Sequence, residues 1–388
     1  MLRRFTVKNY KSIRDTVTLD MCASQIMDNS AGPIQCADGE QLLPLAVILG
    51  MPGSGKTTLF DALQTLRKIV LDPVLPGQET CDLIPVQPFL FSRFKKKNAT
   101  EFSIVFRTSA AEYSYMLHVK VNQITYECLR RRKLPQGRQT VQFERTGNRV
   151  ERKGQLTKLD ADDVLTEKTP FLSCLGLLYP ENALVSDVID WFRYGINCLD
   201  FEKPADALLS DSAFMIADMP EEIRRDALRL LKELTPDVDQ WQVETCEENG
   251  EEYLNVTAVH TVDGVKTQLA LQEEPLYVRK MFILLPFLMY SLACGTVLAV
   301  DGLDLGLEPE LVECLLMFYQ NPEANQTGAQ LITTAHGTSA MEFVDIRQDE
   351  FWYVEKGRQQ DTKIYSLLDL GQDDQEEPPG GYTGPHAL

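Results

Sequence analysis

Residues 50–58 constrain the fold of this chain more than any other stretch, because they read Gly50-Met51-Pro52-Gly53-Ser54-Gly55-Lys56-Thr57-Thr58. An apolar run at 42–49 leads into them and a helical pattern follows from about residue 59. This is the strand, loop and helix context that the G-x-x-x-x-G-K-[ST] pattern requires. The glycines let successive backbone N–H groups face inward, and the helix N-terminus adds partial positive charge. The sequence therefore predicts a triphosphate-binding loop.

Each residue of this loop has an expected role. Lys56 is expected to reach the terminal phosphates, and the Thr57 hydroxyl to take one position around Mg²⁺. An alternative, a glycine-rich left-handed turn before a helix, explains the glycines but not the lysine and the hydroxyl that follow them. The predicted nucleotide-binding residues are Gly50, Pro52, Gly53, Ser54, Gly55, Lys56, Thr57 and Thr58.

Length and composition bound the class of protein. The chain has 388 residues, enough for a full core and two or three lobes. Its nine cysteines include no C-x-x-C pair, which indicates neither a disulfide framework nor a zinc site and favours the reduced cytoplasm. No signal peptide is predicted, because the first residues lead directly into an alternating strand. Residues 281–300 are the most apolar stretch, and their internal proline and glycine favour a core helix plus a buried strand over a membrane span.

The charge is distributed unevenly along the chain. The net charge of −19 argues against nonspecific nucleic-acid binding by the chain as a whole. Residues 93–158, however, hold sixteen Lys or Arg against five Glu and no Asp. Such a stretch forms either a face for nucleic acid or another acidic partner, or hairpin edges whose cations discourage aggregation. We favour the second interpretation.

The order of sequence patterns predicts an α/β fold. Residues 2–19 alternate as a hairpin, and several short strands between 101 and 144 predict an antiparallel sheet. An apolar strand at 296–301, a helix at 309–319 and a second apolar strand at 329–334 predict a right-handed parallel crossover. Residues 351–354 and 364–367 are typical of edge strands. We divide the chain into an N-terminal lobe (1–160), a mainly helical insertion (161–270), a C-terminal lobe (271–370) and a disordered tail (371–388).

Two side chains at predicted strand ends complete a candidate site. Asp301 ends one apolar strand, where a carboxylate can hold Mg²⁺ and its water shell. His336 follows the next strand, where a neutral imidazole can contact a γ-phosphate and act in catalysis. The alternative for His336 is a structural or exposed histidine, which is the commoner role of a lone histidine.

Three stretches together resemble the ABC-type ATPases of the recombination and phage-defence kind (AAA_15 and AAA_21), a group with overcoming-lysogenization-defect nucleases, SMC and Rad50 proteins and abortive-infection ATPases. They are residues 5–13 (Phe-Thr-Val-Lys-Asn-Tyr-Lys-Ser-Ile), the phosphate loop, and residues 298–336. Residues 301–309 are similar to the Walker B motif and D-loop of this group, and residues 333–336 (Thr-Thr-Ala-His) to its switch-histidine motif.

The resemblance implies a fold and a set of partners. The fold is a P-loop ABC-ATPase-like core, with a parallel sheet, flanking helices and an N-terminal antiparallel sheet. The ligands are ATP and Mg²⁺, and the protein is expected to form a homo-oligomer, or a hetero-oligomer with a separate effector chain, in antiviral defence or DNA processing. No membrane association is expected.

Departures from the group's motifs bear on hydrolysis. Gly302 occupies the place of the glutamate that polarises the attacking water, and a glycine cannot accept a proton. Pro275 and Tyr277 replace the signature serine and glycine. We therefore expect a nucleotide-dependent switch with slow or absent hydrolysis, since losing a proton acceptor costs about two to four powers of ten in rate.

Three alternatives remain at this point. Asp304 or Glu308 could replace the missing glutamate in an active ATPase that drives a partner effector. The phosphate loop also fits a small-molecule kinase, although such kinases do not need the stretches around residues 9–12 and 333–336. A GTPase would use Thr157-Lys158-Leu159-Asp160 for guanine specificity, but no apolar strand precedes this tetrapeptide.

Overall fold

The computed structural model describes residues 1–26, 32–75, 84–91, 98–201, 206–248, 251–336 and 346–370. The tail predicted to be disordered, 371–388, lies outside them. The strands are β1 (Leu2–Lys8), β2 (Val17–Asp20), β3 (Ile34–Gln35), β4 (Gln41–Leu42), β5 (Leu45–Leu49), β6 (Thr100–Arg107), β7 (Ala111–Lys120), β8 (Gln123–Lys133), β9 (Thr140–Thr146), β10 (Arg149–Arg152), β11 (Ile196–Asp200), β12 (Gln240–Glu248), β13 (Glu251–Val262), β14 (Val265–Ala270), β15 (Val297–Asp301), β16 (Gln330–Thr334), β17 (Phe351–Lys356) and β18 (Thr362–Ser366). The helices are α1 (Lys56–Leu71), α2 (Phe171–Leu178), α3 (Ala183–Tyr194), α4 (Asp206–Asp218), α5 (Glu221–Leu234), α6 (Leu276–Cys294), α7 (Pro309–Gln320) and α8 (Leu367–Leu370).

A six-stranded sheet with the order β11-β15-β16-β5-β17-β18 forms the centre of the fold. Its strands are parallel except β18, which pairs antiparallel with β17. Every residue of β5, β15 and β16 is buried, as expected for apolar strands covered on both faces. The parallel crossover from β15 through α7 to β16 is confirmed. Only β18 of the last two strands is an edge strand, because β17 pairs with β5 as well.

A seven-stranded antiparallel sheet, β10-β9-β8-β7-β6-β1-β2, confirms the predicted N-terminal sheet. Its inner face, which includes Phe5 and Phe102, shares one hydrophobic cluster with Leu63 of α1 and Ile332 of the central sheet. Helix α1 therefore packs between the two sheets. The opposite face of the central sheet packs on α4 to α7 through a second cluster that includes Phe282 and Val300.

The segment 161–270, predicted to be mainly helical, has a mixed structure. It contains α2 to α5, but β11 joins the central sheet and β12, β13 and β14 form a separate antiparallel sheet. Most residues of β14 in this small sheet are exposed. Trp241 of β12 packs on Phe282 of α6 with ring centroids 5.2 Å apart. The sequence indicates strand-like segments on both sides of an acidic turn at 247–252, which are β12 and β13, but the helical periodicity of α4 and α5 outweighs them in the prediction for the whole segment.

Four arginines of the basic stretch form ion pairs with carboxylates of the chain itself, and two of the four, Arg107 and Arg145, are buried. Arg145 is fully buried, and Glu127, its partner, also accepts the N–H groups of Phe171 and Leu172 at the start of α2. The positive charge available to an outside partner is therefore smaller than the sequence indicates. The ion pairs join Arg107 to Asp38, Glu40 and Glu112, Arg132 to Asp38 and Glu112, Arg145 to Glu127, and Arg152 to Asp160 and Asp162.

Helix α6 is the apolar segment within residues 281–300. Within the described ranges it is the one helix whose length and composition would allow it to cross a membrane. Its residues from Met281 to Pro286 are all buried in the protein, and β15 follows directly after Gly295. The helix therefore forms part of the core, as the sequence predicts.

A buried carboxyl group lies at the start of β17, beside the strand that leads into the phosphate loop. Glu350 is fully buried, and its Oε2 accepts hydrogen bonds from Gln320 Nε2 (3.3 Å) and Arg347 N (3.1 Å). Its main-chain carbonyl accepts the N–H of Val47 in β5 at 2.8 Å. Burial is the largest cause that raises the pKa of Glu350 to about 8. Glu350 is therefore protonated in the folded protein at neutral pH.

We expect Glu350→Gln to flatten the pH dependence of stability. Because the folded-state pKa lies above the unfolded value of about 4.3, the contribution of Glu350 is fully present below that value and is lost as the pH rises toward 8. The loss is on the order of 4 kcal/mol. It should disappear in the glutamine variant, whose side chain stays neutral.

Urea denaturation between about pH 5 and pH 8.5 measures this difference. Glu323→Gln, at an exposed position, serves as the control. Equal slopes of stability against pH for the wild type and Glu350→Gln would contradict the assignment.

Candidate nucleotide-binding site

The phosphate loop connects the end of β5 to the first residue of α1, as predicted. Gly55, just before the helix, has a φ of 114°, which only glycine adopts without strain. A Cβ at Gly55 would lie 2.1 Å from Thr362 Oγ1, and one at Gly50 would lie 2.3 Å from the Val354 carbonyl oxygen. Strands β17 and β18 thus pack against the loop so closely that both positions require glycine.

Two polar side chains are buried within the loop. The Lys56 ammonium group donates to the Gly50 carbonyl oxygen at 2.7 Å, so this side chain folds back across the loop. Ser54 is 3% exposed, and its Oγ has no hydrogen-bond partner among the described residues. A buried hydroxyl without a partner is costly, and a phosphate oxygen would satisfy it. Pro52, Gly53 and Thr57 are exposed to solvent.

Asp301 ends β15 at the same edge of the central sheet. The Thr334 hydroxyl donates to Asp301 Oδ1 at 2.5 Å and accepts the N–H of Gly302 at 2.8 Å. Strand β16 separates β15 from β5, and Ala335 N donates to the Ile48 carbonyl oxygen at 3.1 Å. With strands about 4.8 Å apart, the strands that carry Asp301 and the phosphate loop lie about 10 Å apart. We call this place, where residues 48–50, 301–302 and 334–336 meet, the carboxyl edge.

His336 lies at the carboxyl edge in contact with Asp304. Its backbone N–H donates to Asp304 Oδ2 at 2.7 Å, and its Nδ1 lies 3.4 Å from Asp304 Oδ1. The imidazole is about one third exposed, and the carboxylate is less exposed. The structure therefore brings Lys56, Asp301 and His336 to one edge of one sheet. Their chemical roles remain predictions.

The loop after Asp301 is held by a buried lysine that the sequence analysis did not single out. Lys280 of α6 donates to the carbonyl oxygens of Gly302, Leu303 and Leu305 at 2.5, 2.6 and 3.0 Å. Gly302 has a φ of 72°, so the loop turns sharply where the related ATPases carry a glutamate. Lys280 lies five residues after Pro275, close to the two residues that replace the signature serine and glycine. This position is the only sequence signal that could have indicated its role.

The remainder of the signature stretch is engaged in contacts within the chain. Pro275 precedes the first residue of α6, and the Tyr277 hydroxyl donates to Asp237 Oδ2 at 2.5 Å. The buried Glu274 carboxylate lies 2.7 Å from His260 Nε2, and this hydrogen bond is the largest cause that raises the pKa of His260. The stretch thus ties α6 to β13 and to the turn before β12.

The opening residues 9–12 pack against the phosphate-loop helix. The Tyr10 hydroxyl contacts Asp61 and lies 2.9 Å from Thr65 Oγ1. Lys11 Nζ pairs with Asp61 at 2.6 Å. The Ser12 hydroxyl donates to Thr58 Oγ1 at 3.0 Å. This segment therefore supports α1 from the side of the antiparallel sheet, a role that its alternating sequence does not reveal.

The tetrapeptide 157–160 lies away from the carboxyl edge. It follows β10 in the antiparallel sheet, and the Asp160 N–H donates to the Tyr179 hydroxyl at 3.0 Å. Tyr179 in turn donates to the Asp160 carbonyl oxygen. These contacts make the tetrapeptide a structural turn, so the GTPase alternative loses its specificity motif.

Comparison with known families agrees with this geometry. Residues 45–174 match the family AAA_21, described as "AAA domain, putative AbiEii toxin, Type IV TA system". Over these residues the chain is similar to the P-loop domain of that family. The match covers β5, the phosphate loop and most of the antiparallel sheet, whereas Asp301 and His336 lie beyond it. No curated protein matches this chain.

Solved structures similar to this chain include three SMC head domains. The head domain from Thermotoga maritima is 12% identical, with a TM-score of 0.41 over 94% of this chain and 98% of that one. A head bound to the C-winged helix domain of ScpA is 14% identical, with a TM-score of 0.47 over 96% and 99%. A head with an extended coiled coil, bound to the C-terminal domain of ScpA and derived from Pyrococcus furiosus, is 14% identical, with a TM-score of 0.43 over 97% and 98%.

We expect Lys280→Met to destabilise the protein by about 3 kcal/mol, because three carbonyl oxygens lose a buried charged donor. Urea denaturation measures the loss. Lys266→Met, at an exposed position in β14, is the control and should change stability little. A stability equal to that of the wild type in Lys280→Met would show that the loop 302–305 does not depend on this lysine.

Proposed function

We propose that this protein binds Mg·ATP at the carboxyl edge and acts as a nucleotide-dependent conformational switch with weak or absent hydrolysis. One observation carries the proposal. The phosphate loop follows β5 and Asp301 ends β15, and these two strands lie in one parallel sheet with β16 between them. The residue after Asp301 is Gly302, whose carbonyl oxygen accepts a hydrogen bond from Lys280.

The residues at the carboxyl edge fit a magnesium-bound triphosphate. The loop amides and Lys56 supply positive charge to the phosphates, and the buried Ser54 hydroxyl offers a further donor. Hydroxyl and carboxylate oxygens are the ligands that Mg²⁺ prefers, and Thr57 and Asp301 supply one of each. Bound Mg²⁺ would neutralise phosphate charge. His336 could contact the terminal phosphate from the end of β16.

Weak hydrolysis follows from the side chains that surround Gly302. A glycine has no group that can orient water or accept its proton. Asp304, the first carboxylate after Gly302 along the chain, accepts a hydrogen bond from the backbone N–H of His336. Glu308 is exposed at the start of α7. Loss of a positioned base costs about 10² to 10⁴ in rate.

The contacts of the carboxyl edge support a switch. A nucleotide there would touch the β5–α1 unit and the loops after β15 and β16 together. The loop after β15 is bound to α6 through Lys280, and α6 is tied through Glu274 to His260 of β13. Loss of the terminal phosphate could therefore alter the position of the β12–β14 sheet and the binding of a partner near it.

The biological role is proposed from the description of the family that residues 45–174 match. The AAA_21 description names a toxin of a type IV toxin–antitoxin system, which supports a prokaryotic phage-defence or DNA-processing role in the cytoplasm. We propose that the protein works as an oligomer or with a separate effector chain. Nucleic acid could contact the exposed cations among the described residues of the basic stretch, which are Lys133, Arg138, Arg149, Lys153 and Lys158.

An active ATPase is the second candidate, because Asp304 lies at the carboxyl edge in contact with His336. Asp304→Asn separates the two readings. Asparagine keeps an oxygen for the His336 N–H but cannot accept a proton. A fall of about 100-fold or more in phosphate release would identify Asp304 as the base.

We expect Mg·ATP to raise the melting temperature of the purified chain, with phosphate release of only about 10⁻³ to 10⁻¹ s⁻¹, given a typical kcat near 10 s⁻¹ and the loss of a base. Lys56→Ala should abolish both effects. Turnover above about 1 s⁻¹ that depends on Lys56 would contradict weak hydrolysis. No melting shift at millimolar ATP would contradict nucleotide binding.

A further inference from the structure

The hydroxyl of Thr362 lies between the phosphate loop and the N-terminal segment. Thr362 is 3% exposed at the first position of β18. Its Oγ1 donates to the Ser54 carbonyl oxygen at 2.9 Å and lies 2.7 Å from Ser12 Oγ. Its backbone N–H donates to the Ser12 carbonyl oxygen at 2.8 Å. One residue, 308 positions away along the chain, thus binds the loop and the N-terminal segment together.

The contact with Ser54 fixes the orientation of one peptide group. In a planar trans peptide the C=O and N–H bonds point in opposite directions. Because Thr362 holds the Ser54 carbonyl oxygen on its own side, the N–H of Gly55 points away from Thr362 and toward the inside of the loop. The missing Cβ of Gly55 lets Thr362 approach this closely.

We infer that Thr362 is a positioning residue for nucleotide binding, which holds the Ser54–Gly55 peptide with its N–H facing the phosphates. This inference rests on the proposed function. Phosphate binding by a loop depends on amides that already point inward before the ligand arrives. Without the Thr362 hydroxyl the peptide is free to rotate, and the nucleotide must then order it at a cost in affinity.

Ser12 and Thr58 continue the series of hydroxyl contacts that begins at Thr362. Ser12 Oγ lies 2.7 Å from Thr362 Oγ1 and 3.0 Å from Thr58 Oγ1 in the first turn of α1. Because the Thr362 proton goes to the Ser54 carbonyl oxygen, the single Ser12 proton serves one of these two contacts at a time. The three hydroxyl groups connect β18, the N-terminal segment and the phosphate-loop helix in one chain of contacts. Removal of Ser12 should therefore weaken the same peptide orientation, but less than removal of Thr362.

Isothermal titration of the full chain with Mg·ATP tests the inference. Thr362→Val keeps the shape of the side chain and removes the hydroxyl, and it should weaken binding about tenfold. Thr362→Ser keeps the hydroxyl and should bind within about twofold of the wild type. Ser12→Ala should weaken binding about threefold.

Thr235→Val is the matched control, because Thr235 is a buried threonine whose hydroxyl also donates to a backbone carbonyl oxygen, that of Leu231 at 2.6 Å, in a part of the fold away from the loop. It should lower the midpoint of urea denaturation in the absence of nucleotide but leave the ATP affinity unchanged. A purely structural role for Thr362 predicts this same behaviour for Thr362→Val.

The outcomes distinguish a failure of the inference about Thr362 from a failure of the proposed function. Binding by Thr362→Val equal to that of the wild type overturns the inference alone. An equal loss of affinity in Thr235→Val also overturns it, because general destabilisation then explains the effect. Absence of ATP binding by the wild type overturns the proposed function and the inference with it. Rescue by Thr362→Ser together with an unaffected Thr235→Val supports it.

Discussion

The hydrogen bond between Thr334 and Asp301 is the contact on which the carboxyl edge depends. A buried carboxylate is costly unless polar groups compensate it, and the Thr334 hydroxyl both donates to Asp301 and accepts the N–H of Gly302. The next residue along, Ala335, binds the carbonyl group of Ile48 at the end of β5. Charge introduced at Asp301 by a bound cation would therefore act on the end of β16 and, through it, on the strand that leads into the phosphate loop.

Residues 274–280, at the place of the signature motif, make contacts with other parts of the chain. Glu274 binds His260, Tyr277 binds Asp237, and Lys280 fills the inside of the loop after β15. The partners of these side chains lie on different elements, in β13, in the turn before β12 and in the loop after β15, so α6 connects the small sheet to the carboxyl edge.

The sequence predicts those parts of the site that depend on local pattern. The phosphate loop, Asp301 and His336 follow apolar runs, and strand ends in a parallel sheet meet at one edge. The roles of Thr362 and Lys280 could not be predicted, because they act through backbone carbonyl groups that any sequence carries. The same limit applies to β17, whose interior place depends on pairing with β5, about 300 residues earlier. The sequence indicates strand-like segments on both sides of the acidic turn at 247–252, which are β12 and β13, but not that they form a separate sheet with β14.

The position of β5 has a consequence for how this chain folds. Its neighbours, β16 and β17, follow it by about 300 residues, so the phosphate loop cannot reach its final surroundings until β17 has left the ribosome. Pairings of such long sequence separation are slow to form. The antiparallel sheet, in which every pairing except that of β1 with β6 joins consecutive strands, has a shorter delay. Nucleotide affinity in a nascent chain would thus appear late and would report that synthesis has passed β18.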